Sequence, residues 1–270
     1  MNPSFLIGLA LAMALMLFGS AYDGSGLNFA EIALFGNLTG LVMVVGGTIA
    51  ALLASFPLRC FAQIPKHFAI ITGKSRNNPV YYIDKLSTLS EDARNKGILV
   101  LEEELVGFDD KFLRDSVMMV VDALEPEKVR ERINTELAEI ENRHVQTWAL
   151  YEKGAALAPA FGMVGTLIGL VRMLAGVGDG AEISQLAGSM AFAILATLYG
   201  MLLANLVFSP ISNQLRIAHE DEMLCKGIVA EGVISIQAGE SPRSINEKLC
   251  SYLAESRRGN AISLEKNESE

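Results

Sequence analysis

The chain alternates long apolar runs with amphipathic stretches. Four segments, 3–21, 32–58, 154–171 and 183–215, hold no Asp, Glu, Lys, Arg or His. A bilayer-crossing helix needs about 20 mostly apolar residues, so each run is predicted to span. Elsewhere the pattern becomes a helical stripe. Ser90, followed by Glu91 and Asp92, reads as the cap of a helix whose first acids suit its positive end. From Phe108, apolar residues recur at Phe112, Val117, Val120, Val121 and Leu124. Pro126 suits a first-turn position, and Val129, Ile133, Leu137 and Ile140 follow at spacings of four, four and three. No breaker intervenes before Gly154, so this helix is predicted to run into the third apolar run. Near the end, Ile228, Val229, Val233 and Ile236 form another stripe, and Ser241-Pro242 reads as a further helix start. Nothing alternates with period two. The fold class is therefore all-α: an integral membrane protein with four transmembrane helices and a helical cytoplasmic domain.

These elements give an order along the chain: two spans in 1–58, a cytoplasmic domain in 59–153, two more spans in 154–215, and a cytoplasmic tail in 216–270. The closing RRGNAISLEKNESE is polar and expected to be disordered. Composition agrees with a protein divided between bilayer and water, since 51% of residues are hydrophobic and mean hydropathy is +0.33.

Charge sets the orientation. The loops 20–31 and 176–186 contain Asp23, Glu31, Asp179 and Glu182 but no Lys or Arg. Of 22 basic residues, 14 lie in 59–153 and 7 in 216–270, with Arg172 the remaining one. Basic segments stay cytoplasmic, so both termini are placed inside. Gly19 and Ala21 would suit a signal peptidase, but no basic residue precedes the apolar run, and 3–21 is read as retained. Cys60, Cys225 and Cys250 fall in or beside cytoplasmic parts and form no CxxC pair. A net charge of −9 argues against nucleic-acid partners.

Candidate chemistry is sparse outside the spans. His67, His144 and His219 are far apart, lack ligand spacing and read as solvated or helix-face histidines. There is no GxSxG, Walker or GxGxxG motif, and the carboxylates sit in mixed-sign runs, so no enzyme is predicted. Within the spans, Gly165 and Gly169 form a GxxxG, and Ala196, Gly200 and Ala204 place small residues every fourth position. Thr166 and Thr197 lie on these same helices. Either can bond its own helix carbonyl; as a pair they could offer oxygens to a cation. Pro159 and Pro210 stand near the inner ends of the third and fourth spans, where a proline frees a carbonyl and a hinge is one reading. No span carries an ionisable side chain. Such a group costs roughly 2.5–3.5 kcal/mol at mid-membrane on insertion scales, a cost that ion relays accept. Either this chain moves no ions, or a partner supplies the carboxylate. Finally, DARNKGILVLEEEL (92–105) places Arg94, Ile98 and Glu102 four residues apart, on one helix side and with the charges about 12 Å apart axially. That is too far to pair, so both read as outward charges, a pattern solvated decoration also gives.

VVGGTIAA (44–51), ARNKGILVLEEE (93–104), ALAPAFGMVGTLIGLVRML (156–174) and MAFAILATLYGMLLANLVFSP (190–210), in order and in place, resemble the flagellar motor stator A-subunit family (MotA/PomA), over nearly the whole chain. The resemblance implies a ring of such subunits, five around two copies of a B-type subunit (MotB/PomB-like). That partner has one span with an ion-binding Asp and a peptidoglycan-binding domain. It implies location in the bacterial inner membrane, passage of H+ or Na+ with no cofactor, and torque delivered to the rotor switch protein FliG. Carried over by position, Arg94 and Glu102 match rotor-facing charges, with Lys96 and Glu103 as weaker members. Pro159 and Pro210 match the prolines that couple ion passage to movement, and Thr166 and Thr197 match hydroxyls near the path. Sodium-type members often have two adjacent threonines where this chain has Ala196-Thr197, which points towards protons. The runner-up is the related ExbB/TolQ class, which usually has three spans; a non-conducting scaffold is the other alternative.

Overall fold

The computed structural model describes residues 3–22, 34–73, 78–105, 108 and 110–253. They form helices α1 (Pro3–Ala21), α2 (Leu38–Ser55), α3 (Leu58–Ala62), α4 (Ile64–Thr72), α5 (Pro79–Lys96), α6 (Val100–Glu104), α7 (Lys111–Val121), α8 (Pro126–Gly178), α9 (Ile183–Leu202), α10 (Ser209–Gln237) and α11 (Pro242–Cys250). A π-helical segment, Leu203–Phe208, joins α9 to α10. Among the described residues, three helical stretches are long and apolar enough to cross a membrane: Leu38–Ser55, and one window each within Pro126–Gly178 and Ile183–Gln237. A shorter apolar stretch, Ile7–Gly19, lies in α1. Asp23 and Glu31 of the first predicted outer loop, and the tail 257–270, lie outside the described residues.

Two compact units divide the chain: Met1–Lys74 with Val145–Ile217, and Ser75–His144 with Ala218–Glu270. In the first, α2 buries Gly40, Val44, Thr48 and Leu52, one residue per turn. Thr48 satisfies its hydroxyl on the Val44 carbonyl at 2.6 Å, as a buried hydroxyl must. Asn37 caps α2 by accepting from the Gly40 N–H. Tyr199 of α9 fixes the approach to that cap. Its hydroxyl donates to the Phe35 carbonyl and accepts from the Asn37 N–H at 2.8 Å. Leu52, Ile71, Leu150, Tyr151, Ile211 and Leu215 form a small core below.

The second unit has the larger core. Ile83, Leu86 and Leu89 of α5 meet Leu113 and Val117 of α7, Ile133 of α8, Ile228 of α10 and Leu249 of α11, all essentially inaccessible. Each such side chain contributes about 1.5–3 kcal/mol of burial, which fixes helices that propensity alone would leave marginal.

Several predicted elements stand. α8 begins at Pro126 and runs unbroken to Gly178 over 53 residues. Val129, Ile133, Val229, Val233 and Ile236 are buried as their stripes require. Ser241 caps α11 by accepting from the Ser244 N–H. Two boundaries are corrected. Ser90 is not a cap but a buried residue inside α5, which starts eleven residues earlier at Pro79. There Asn78 accepts from the Val80 N–H and Pro79 takes the first turn. The apolar face Ile83–Leu86–Leu89 carries the helix past Ser90. The second correction is that Arg94 and Glu102 do not share a helix. Gly97 closes α5 with φ +92°, its N–H returning to the Ala93 carbonyl, and Glu102 stands on the separate α6. The stripe from Phe108 also narrows. Asp110 caps α7 through the Phe112 and Leu113 N–H groups, leaving Phe108 and Leu124 outside the helix but against the core.

Candidate functional site

α8 and α9 touch through glycine. A Cβ built on Gly165 would lie 2.4 Å from the Ala196 Cβ, and one on Gly169 would lie 2.6 Å from the Ala193 Cβ. Gly200 faces backbone: its Cβ would fall 2.6 Å from the Ala158 carbonyl oxygen and 3.2 Å from the α-carbons of Pro159 and Gly162. The small-residue spacing thus brings the two backbones together.

That approach assembles an oxygen cluster. Thr166 Oγ1 and Thr197 Oγ1 are 2.5 Å apart, although 31 residues separate them. Thr166 also lies 3.3 Å from both the Gly162 and Ala193 carbonyls, and Thr197 lies 3.4 Å from the same two. Each hydroxyl reaches its own helix carbonyl and the facing one. Two hydroxyl protons serve four oxygens, so lone pairs outnumber donors and the spot is electronegative. Such a cluster can hold a cation or a hydrogen-bonded water. It offers no charge of its own. Spacing alone placed both threonines on facing helices; it did not reveal that Gly162 and Ala193 contribute carbonyls. Ala196, fully buried with its Cβ over Gly165, points into the helix seam. A second threonine there would meet the α8 backbone.

The two prolines differ. Pro159 sits inside α8, which continues around it, against Gly200. Pro210 follows the π-helical segment Leu203–Phe208. Its missing N–H falls just where the hydrogen-bond ladder is already displaced.

The charged residues occupy the second unit. Arg94, Lys96, Glu102 and Glu103 are all exposed. Among the described residues Arg94, Glu102 and Glu103 have no ion-pair partner, whereas Lys96 donates to Asp92 at 2.7 Å, which pushes its ammonium above the ordinary range. Leu101 and Leu105 anchor the α6 segment in the core, so its acids must face out. These four charges and the threonine cluster belong to different units.

The histidines depart from the solvated reading. His67 is buried, with Nδ1 3.0 Å from the Tyr151 hydroxyl. Burial pushes the imidazole below its ordinary range and the phenol up to about 12, so the hydrogen bond joins a neutral ring to a neutral phenol. His144 and His219 face each other with Nδ1 atoms 3.0 Å apart. No short-range signal could have paired residues 75 positions apart. Among the described residues no three of His, Cys, Asp or Glu converge on a metal position.

Comparison with known proteins matches residues 105–225 to the MotA/TolQ/ExbB proton channel family. The chain is 36% identical over 253 residues to motility protein A of Borreliella burgdorferi, covering 94% of each. It is 33% identical over 262 residues to chemotaxis protein PomA of Vibrio alginolyticus, covering 96% of this chain and 98% of that one. In three dimensions it is similar to a chain of the flagellar MotAB stator complex from Bacillus subtilis. The TM-score is 0.82 at 26% identity, over 94% of this chain and 97% of that chain.

Proposed function

This chain belongs to the MotA/TolQ/ExbB proton channel family as a multi-pass membrane protein, and from that premise we propose that it is an A-type stator subunit of a bacterial flagellar motor. Proteins of this family are channel and stator components, not enzymes. The observation that carries the reading is a full-length likeness to motility protein A combined with apolar runs that hold oxygens and no carboxylate. A chain that lines an ion path without owning the ionisable group needs a second chain that does. That chain is a B-type subunit, as the MotAB complex of the solved relative suggests.

On this reading α1 is a fourth span, both termini are cytoplasmic, and the domains divide at 58, 153 and 215. Five copies surround two B subunits in the inner membrane. The Thr166–Thr197 cluster borders the path of H+ or Na+. Pro159 and Pro210 transmit ion passage to the cytoplasmic side, and Arg94, Lys96, Glu102 and Glu103 push on FliG. The seam position of Ala196 supports protons. Loss of swimming on sodium removal, at constant proton-motive force, would reverse that assignment.

Deletion of the gene tests the whole. The expected outcome is intact filaments by electron microscopy that do not rotate. Normal swimming with impaired outer-membrane uptake would instead assign the chain to the ExbB/TolQ branch. Thr166→Val separates a conductor from a scaffold: the complex should assemble and torque should fall, and unchanged torque would remove the cluster from the ion path.

A further inference from the structure

Beyond the ion path, one contact in the second unit has a chemistry that hydrophobic packing does not explain. His144 on α8 and His219 on α10 meet edge to face, with ring planes at 89° and centroids 5.2 Å apart. Both rings are half-buried. In the neutral pair, one Nδ1–H donates to the other ring's Nδ1. One added proton leaves the bond intact, because an imidazolium Nδ1–H still has a neutral Nδ1 to donate to. A second proton turns both facing atoms into donors on two cations, and the contact becomes repulsive. We propose that the His144–His219 pair is a proton-operated fastener between α8 and α10, closed with up to one charge and released by the second.

The surroundings set when it releases. Burial holds His144 below its ordinary range. From α10, Glu222 favours charging; His219 and Lys226 on the same helix, and Arg143 beside the ring on α8, oppose it. Lys226 is itself tied to Glu222 at 3.5 Å and lies over the Phe112 ring. His144 also lines a cavity that receives Glu136 from α8, Lys111 from α7, and Tyr81 and Tyr82 from α5. Asp110 accepts from the Tyr82 hydroxyl at 2.5 Å. Tyr82 and Cys225 are both raised, chiefly by burial, and remain neutral throughout the histidine range. At His144 the pull of Glu222 is thus opposed by burial, His219, Arg143 and Lys226, so the doubly charged pair requires a pH below the ordinary imidazole range.

His144 and His219 are the last and second residues of the second unit's share of α8 and α10, and both helices continue in sequence into apolar runs. Release would loosen these helices relative to each other when the cytoplasm acidifies. An effect on rotation rests on the stator reading; the release itself does not.

The experiment is amide hydrogen exchange on the purified full complex as pH falls, corrected for the intrinsic pH dependence of exchange. Residues 141–148 and 216–223 in the parent should open up to about tenfold more per pH unit over the range in which the opened form has taken the second proton and the closed form has not. His144→Gln keeps a hydrogen-bonding partner for His219 but removes one charge, and its profile should stay level; His219→Gln should do the same. A parent profile that is level, or parent and variant profiles that coincide, would overturn the proposal. Motor speed under cytoplasmic acidification, compared between parent and His144→Gln, tests the consequence separately. Exchange that responds without a speed difference would confine the fastener to structure and count against the role in rotation.

Discussion

Gly200→Ala is the sharpest test of the seam between α8 and α9. The added methyl would fall 2.6 Å from the Ala158 oxygen, 0.8 Å inside the 3.4 Å of ordinary contact, with two α-carbons at 3.2 Å. All three obstacles are backbone, so no rotamer can retreat and the helices must part. Overpacking of this kind costs about 1–3 kcal/mol, offset by up to about 1 kcal/mol of better helix propensity. Gly46→Ala is the control, because nothing lies within 4 Å of its Cβ position and it collects only the propensity gain. The difference between the two variants therefore isolates the overpacking cost, about 1–3 kcal/mol. It is read from thermal melts of the solubilised complex. Function should fall further than stability. Thr197 lies one turn from Gly200, and Thr166 one turn from Gly162, so parted helices stretch the 2.5 Å hydroxyl contact. Gly200→Ala cells should swim poorly and Gly46→Ala cells normally. Equal melting points with equal motility would refute the close backbone seam and its link to the oxygen cluster.

Three further outcomes follow from the same geometry. Glu102→Lys should change stability by no more than about 0.5 kcal/mol, because the side chain is exposed and unpaired among the described residues, yet reduce torque in tethered cells; loss of the complex from membranes would contradict that. Tyr199→Phe removes the partner of the Phe35 carbonyl and the Asn37 N–H and should cost about 0.5–1.5 kcal/mol, because neither bond is fully buried, visible as faster amide exchange at 35–40. His67 is held below its ordinary 6.5, so the folded state binds fewer protons than the unfolded one. The stability it confers is present at higher pH and is lost as pH falls below 6.5. His67→Phe should flatten that slope, and an unchanged slope would show that His67 does not set it.

Much of this was legible in the residues. Apolar runs and stripes gave the helices because burial on one face has a period that sequence displays, and α8 could be followed from Pro126 because nothing in it breaks a helix before the third apolar run. Family motifs then placed the threonines and prolines in context. What stayed hidden was of two kinds. Ser90 looked like a cap because its local chemistry is right, but burial of Ile83, Leu86 and Leu89 overrode it, and Asn78-Pro79 was the better signal. Gly97 was visible in DARNKGILVLEEEL, yet a glycine is tolerated in helices often enough that only the positive φ decided the break. The second kind is contact at a distance: Thr166 with Thr197, His67 with Tyr151, and His144 with His219 depend on how helices lie, which no spacing along one helix encodes.

The π-helical segment before Pro210 has a consequence for the heredity of the α9–α10 rod. A π-turn spreads one turn over an additional residue, so the helix beyond it keeps the phase it would have without that residue. Deleting one of residues 203–208 would let the ladder close as ordinary α-helix while Ile211 and Leu215 still face the core of the first unit. A single-codon deletion at 198–202, where there is no spare residue, would instead turn everything beyond it by about 100°, a change of phase between the half that carries Thr197 and the half that carries Pro210. The segment 203–208 is therefore the place where this rod can lose a residue and keep both of its faces.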